Sequence, residues 1–202
     1  MNDPHVVALY YMVEHRESVS YEKAAPVEHD GEHCRVRIEG CRARFEMKDH
    51  YATAEEARAV IEPLIRAWEV DAGLRHGHRE IKFVFERAEI EDRKPTPGEV
   101  HVPTNHMTLK AYPPTIQVGR NKYPEPPTNL VVNADVEVMY YRYGLYKEGK
   151  DLLSNMAYFF LTVLEASAQG GQRTAAATKY GISQERPDHA WQAGKRERRT
   201  GS

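Results

Sequence analysis

Eight prolines, Pro95, Pro97, Pro103, Pro113, Pro114, Pro124, Pro126 and Pro127, crowd into one stretch of a chain that holds twelve in 202 residues. Each fixes φ and lacks an N–H, so this stretch can form neither a long helix nor a central strand. It admits only short edge strands, for which Met107–Ala111 and Thr115–Val118 are the candidates. The chain is thereby cut in two, and each side must find its own core. Hydrophobic residues make up 41% and charged residues 29%, which suits folded domains and excludes collagenous, disulfide-scaffold and disordered classes.

On the N-terminal side the dominant period is that of a strand. His5–His15 is dense in Val, Tyr and Leu, with apolar residues at both parities, as expected of a central strand covered on both faces. From Cys34 apolar and charged residues alternate until Gly40, after which Cys41, Ala43 and Phe45 take over the apolar role. A parity change at a glycine marks a β-bulge or a very short hairpin turn. Glu80–Ile90 changes parity too: Ile81, Phe83 and Phe85 share one face, and Ala88 and Ile90 are displaced by one. Between these strands lies an amphipathic helix. Thr53 caps it, Glu55 and Glu56 oppose the positive end of its dipole, and Ala57, Val60, Ile61, Leu64, Ile65 and Trp68 form one apolar stripe. Pro63 should bend the axis, and Gly73 is the expected stop.

Beyond the prolines the period becomes helical. Val132, Val136, Met139, Tyr140 and Tyr143 fall on one helical face of the segment 129–149. The same β-branched and tyrosine content would suit a strand, but length favours a helix. In the segment 150–168, Leu152, Leu153, Met156, Ala157, Phe159, Phe160, Val163 and Leu164 cover most of a helix circumference. That pattern predicts a helix buried on several sides, ended by Gly170 and Gly171.

The two cysteines, Cys34 and Cys41, lie in one strand-like segment. A straight strand separates them by roughly 23 Å, and a tight turn at Glu39-Gly40 sets Cys41 opposite Ile38 and Cys34 opposite Phe45. Neither geometry makes a disulfide. Two unbridged thiols acting as small core hydrophobes fit a cytoplasmic protein. No apolar run approaches the roughly 20 residues that span a bilayer. The run Val6–Val13 follows Asn2 and Asp3 rather than the positive flank of a signal peptide.

Several motifs carry potential chemistry. Gly144 to Lys150 satisfies G-x-x-x-x-G-K, but its middle positions are Leu145, Tyr146, Lys147 and Glu148, and Asp151 stands where a phosphate loop places a hydroxyl for magnesium. A carboxylate there would face the phosphates, so a glycine-punctuated turn between two helices is the expectation. His29 and His33 are four apart but flank Asp30-Gly31, a turn signal, and His76-Gly77-His78 lacks a third ligand. No metal or other cofactor is therefore expected. No nucleophile elbow is present, and neither cysteine has the glycine-rich or helix-start surroundings that lower a thiol pKa. Tyr140 and Tyr143, beside Arg142, could stack a flat ligand, although tyrosines on a valine stripe also serve as half-buried packing residues.

Two resemblances to known families arise here. Paired helices such as those expected over 129–168 occur in the HEPN helical ribonucleases, whose pattern implies an arginine and a histidine a few residues apart; with only His189 after His106, that catalytic pair does not carry over. The run Arg173–Ser183 resembles the first half of a helix-turn-helix. Ala176 and Ala177 match its first helix, Tyr180 the packing residue, Gly181 the turn, Ile182 a buried position and Ser183 the cap of the recognition helix. The resemblance implies DNA contacts by Lys179, Ser183, Gln184 and Arg186. Pro187 and Ala190 depart from the pattern, and the chain is expected to leave the fold near Glu185. Its last stretch is basic, with Arg186, Lys195, Arg196, Arg198 and Arg199 against Asp188 and Glu197, while the rest of the chain has an acidic excess. A body of that sign repels a phosphate backbone, and only the tail would attract one.

The expected fold is α+β. An antiparallel sheet with one packed amphipathic helix occupies residues 1–118, a proline-rich connector 119–128, a helical unit 129–185 and a basic, disordered tail 186–202. No catalytic set is complete. The expected function is that of a non-catalytic cytosolic binding or regulatory protein, with a protein partner or a second copy, and DNA as a further partner through the partial helix-turn-helix. The competing class is an enzyme acting on a nucleotide or phosphorylated substrate.

Overall fold

The computed structural model describes residues 2–94, 117–168 and 173–181. The candidate strand Met107–Ala111, the first two residues of Thr115–Val118, the expected helix stop at Gly170 and Gly171, and Ser183, Gln184, Arg186 and the basic tail lie outside these residues. The described chain forms two compact units, divided at Val132 and Asn133.

The first unit is an antiparallel five-stranded sheet with one helix on its face, so the α+β expectation holds. Its strands are β1 (Pro4–His15), β3 (Val27–Asp30), β4 (Cys34–Glu39), β5 (Arg42–Met47) and β6 (Ile81–Asp92), in the order β3-β4-β5-β1-β6. β1 is central, between β5 and β6. Its pairing with β6 slips twice, once at Val7 and once at Glu86, because Tyr10 faces Arg87 while Tyr11 faces Phe85. Glu86 is the extra residue that produces the parity change after Phe85.

The β4–β5 connection is the tight turn, not a bulge. Its two residues, Gly40 and Cys41, have φ of 55° and 61°, the left-handed pair of a type I′ hairpin. Cys41 therefore occupies the turn itself, which moves the register from the expected one: Ile38 faces Ala43 and Cys34 faces Met47.

The helix α1 spans Ala54–His76. Thr53 and Glu56 form a reciprocal capping box, with Thr53 Oγ1 accepting from the Glu56 N–H at 3.2 Å. The helix continues through Pro63 and past the expected stop. Gly73 is a buried interior residue, and Gly77, at φ 126°, makes the end. Ala57, Ile61, Ile65, Trp68 and Ala72 are buried at three- and four-residue spacing against Leu9, Tyr11, Phe45 and Phe83 of the sheet. Trp68 and Phe83 rings lie 5.4 Å apart, and Tyr11 meets Phe45 edge-on at 5.2 Å. Glu69 accepts the Phe83 N–H at 2.8 Å, so a side chain of α1 satisfies a backbone donor on β6, an edge strand.

The stretch read as a connector belongs to this first unit. β2 (Val19–Ser20) and β7 (Val118–Gly119) pair in parallel, and Ala25 bridges Lys122. Tyr123 is 1% exposed, and the Trp68 indole donates to the Pro124 carbonyl at 2.8 Å. Arg120 reaches Glu80, whose buried carboxylate accepts from Arg16 (3.0 Å), Arg120 (3.0 Å) and the Tyr21 hydroxyl (2.9 Å). Residues 117–124 thus form a strap that supplies partners to buried polar groups of the unit.

The second unit holds α2 (Ala134–Lys147), α3 (Leu153–Ser167) and α4 (Arg173–Tyr180). Among the described residues no helix is long and apolar enough to cross a membrane.

Candidate interaction surface of the helical unit

α2 starts where Asn133 Oδ1 accepts the Val136 N–H at 2.9 Å, with Asp135 and Glu137 in its first turn. It ends on the glycine-lysine pair of the G-x-x-x-x-G-K string. The Lys150 N–H donates to the Leu145 carbonyl (2.8 Å) and the Gly149 N–H to the Tyr146 carbonyl (3.0 Å), with Gly149 at φ 71°. These are the two bonds of a Schellman cap. The amides that would gather round a phosphate are spent on helix carbonyls, and Lys150 Nζ is held by Glu148 at 2.7 Å.

Asp151 explains itself in the same way. Its carboxylate accepts from Arg142 (3.0 Å), from the Leu152 N–H at the start of α3 (2.9 Å) and from Asn155 (3.3 Å). The Arg142 guanidinium also lies 5.0 Å from the Phe159 ring centroid. Arg142 is therefore a clasp between α2 and α3, with its charge already matched by Asp151. Tyr140, 9% exposed, and Gly144 are the buried residues of α2. The Tyr140 and Tyr143 rings are 6.3 Å apart, but Arg142 is committed to α3 and Tyr140 is withdrawn from solvent, so the three do not form an open stacking platform.

The expectation of a deeply buried α3 is overturned. Although it carries a single charged side chain, Glu165, none of its fifteen residues is buried. Leu153 and Tyr158 are more than half exposed, as are Leu152 just before the helix and Tyr141 on α2, and Val138 is exposed as well. Two helices share only one seam, and apolar residues placed round the remaining circumference have nothing in the pair to cover them.

α4 covers Arg173–Tyr180, with Ala176 buried, and Gly181 after it has φ 63°. Lys179 Nζ donates to the Ser167 carbonyl at 2.7 Å, at the C-terminal end of α3, and the Tyr180 and Ser167 hydroxyls are 2.7 Å apart. Of the four residues expected at DNA, Lys179 is the one described, and it serves the α3–α4 corner. Among the described residues no cluster of three or more His, Cys, Asp or Glu could hold a metal. The helical unit from 133 to 181 contains neither His nor Cys, so it offers no imidazole base and no thiol nucleophile. No protein-family model matches the chain, and neither does any curated protein or solved structure.

Proposed function

We propose that this is a non-catalytic cytosolic binding or regulatory protein that works through its helical unit, and that the occupant of the exposed face is a second copy of the same unit. The observation that carries this reading is α3, whose apolar residues surround a helix with no buried side chain. A second helical hairpin would complete a four-helix arrangement, in which each hairpin covers what the other exposes. A nearly uncharged face also suits a two-fold contact, which brings each residue close to its own counterpart and penalises like charges. The free thiols Cys34 and Cys41 accord with a reducing compartment.

Sedimentation of the full chain over a concentration series tests this. The expected result is a reversible dimer, with Leu153→Lys and Tyr158→Lys each shifting it to monomer while leaving far-UV circular dichroism unchanged. Monomeric wild type at every concentration removes the reading. Duplex DNA in a low-salt polarisation assay is the other arm. Binding that survives the two lysine substitutions but is lost with Lys179→Ala and Arg186→Ala would make DNA the partner of this unit instead.

A further inference from the structure

The sheet of the first unit ends on two strands of unlike length. β3 is a short edge, Val27–Asp30, whereas β6 runs from Ile81 to Asp92 with β1 on one side and no described strand on the other. A long open edge is a template for strand addition unless something blocks it. The half of β6 nearer Ile81 is blocked: Glu69 takes the Phe83 N–H at 2.8 Å, the Arg58 guanidinium lies 4.4 Å from the Phe85 ring centroid, and the extra residue Glu86 bends the strand. The half from Arg87 to Asp92 is different. Ile90 stands opposite Val6, whose N–H turns away from β6 to the Tyr51 carbonyl at 2.9 Å. Opposite residues of an antiparallel pair exchange both main-chain bonds or neither, so Ile90 directs its N–H and carbonyl to the open side, and Ala88, two residues earlier, does the same. Among the described residues neither amide meets another acceptor.

We propose that this half of β6 is a docking edge for an extended peptide of a protein partner, a peptide in which apolar and basic residues alternate. The main chain of the peptide bonds to Ala88 and Ile90 as a further strand of the sheet. Its side chains then fall in two rows, because the side chains of the edge do. Ala88 and Ile90 share the side of the sheet that carries α1, where Ala88 packs on the core and Ile90 is left 37% exposed. An apolar residue beside them covers that strip.

The other row fixes the charge of the partner. Arg87, Glu89 and Glu91 lie on the side away from α1, with Glu86 next to them in the bulge. Arg87 is engaged within the sheet, its guanidinium 3.8 Å from the Tyr10 ring centroid, and Glu89 accepts the Tyr10 hydroxyl at 2.6 Å. None of the ion pairs among the described residues includes Glu86, Glu89 or Glu91. Three carboxylates with no cation of their own favour lysine or arginine on the incoming strand and oppose an acidic one. Main-chain bonds thus supply affinity, and the unpaired acids supply selection.

This inference concerns the first unit and stands whatever covers α3. The test is amide hydrogen exchange of the full chain by NMR, with a short capped peptide of alternating valine and lysine as the probe and its valine–glutamate counterpart as the control. The Ala88 and Ile90 amides should exchange quickly in the free chain and slow on adding the lysine peptide, while the glutamate peptide leaves them unchanged. Ile90→Pro removes the outward N–H without touching a bond to β1 and should weaken binding about tenfold, as should Glu91→Lys by reversing a charge. Leu153→Lys should leave the slowing intact. Three results overturn the proposal without recourse to any variant. One is protection of Ala88 and Ile90 in the free chain, which means that the edge is already filled, by a second copy if the protection falls on dilution and from within the chain if it does not. The others are no slowing with the lysine peptide and equal slowing with both peptides.

Discussion

The two units treat apolar side chains in opposite ways. In the first, an alternating strand pattern and a modest helical stripe are enough, because α1 lies over β1 and β6 and each layer covers the other; Trp68, Phe45, Leu9 and Ile61 are all sealed. In the second, α3 is far richer in apolar residues and seals none of them. Hydrophobicity written into a segment says that it needs cover. Whether it receives cover depends on how many layers the unit can assemble.

That contrast can be broken by mutation. Trp68→Ala removes a side chain packed on Phe83 and an indole bonded to Pro124, and should lower the stability of the first unit by about 3–5 kcal/mol in guanidinium unfolding. Glu80→Gln keeps the volume but strips the charge that Arg16 and Arg120 face. Those arginines are partly solvated, so a loss of about 2 kcal/mol is expected. Gly40→Ala places a methyl at φ 55° in the hairpin turn and should cost about 1 kcal/mol, with Cys41→Ala unable to offset it, since both positions demand the left-handed region. Leu153→Ala, on the exposed face of α3, should change unfolding of the dissociated chain by less than about 0.5 kcal/mol and be felt instead in the sedimentation profile. A Leu153→Ala loss as large as that of Trp68→Ala would mean that α3 is packed within the chain, and the contrast would vanish.

The elements that were legible in the sequence are those whose causes are local. The alternation in Cys34–Glu39, the Thr53 cap and the parity change after Phe85 each need only a few neighbouring residues, and each appears in the structure. The end of α1 was misread because a glycine is a stop only where the backbone turns left-handed; Gly77 does so, and Gly73 stays helical and buried. The pairing of Arg142 with Asp151 was not legible, because it lies across a turn whose geometry the sequence does not specify. The hydrogen bond from the Cys41 N–H to the Tyr123 hydroxyl was invisible for a stronger reason. Tyr123 lies 82 residues away, inside the proline-rich stretch, and reaches the turn only because the strap folds back onto the first unit.

That strap also decides where the chain may be cut. A polypeptide stopped after Asp92 would retain all five strands and α1, and by outline would look complete. It would leave the Trp68 indole without its acceptor and Glu80 short of one guanidinium, with Tyr21 uncovered where Tyr123 had stacked. Orphaned polar atoms and bare aromatic rings at one end of a sheet invite clumping rather than refolding. Anyone expressing this half by itself should carry the gene through Pro127, so that the piece that looks dispensable travels with the domain it seals.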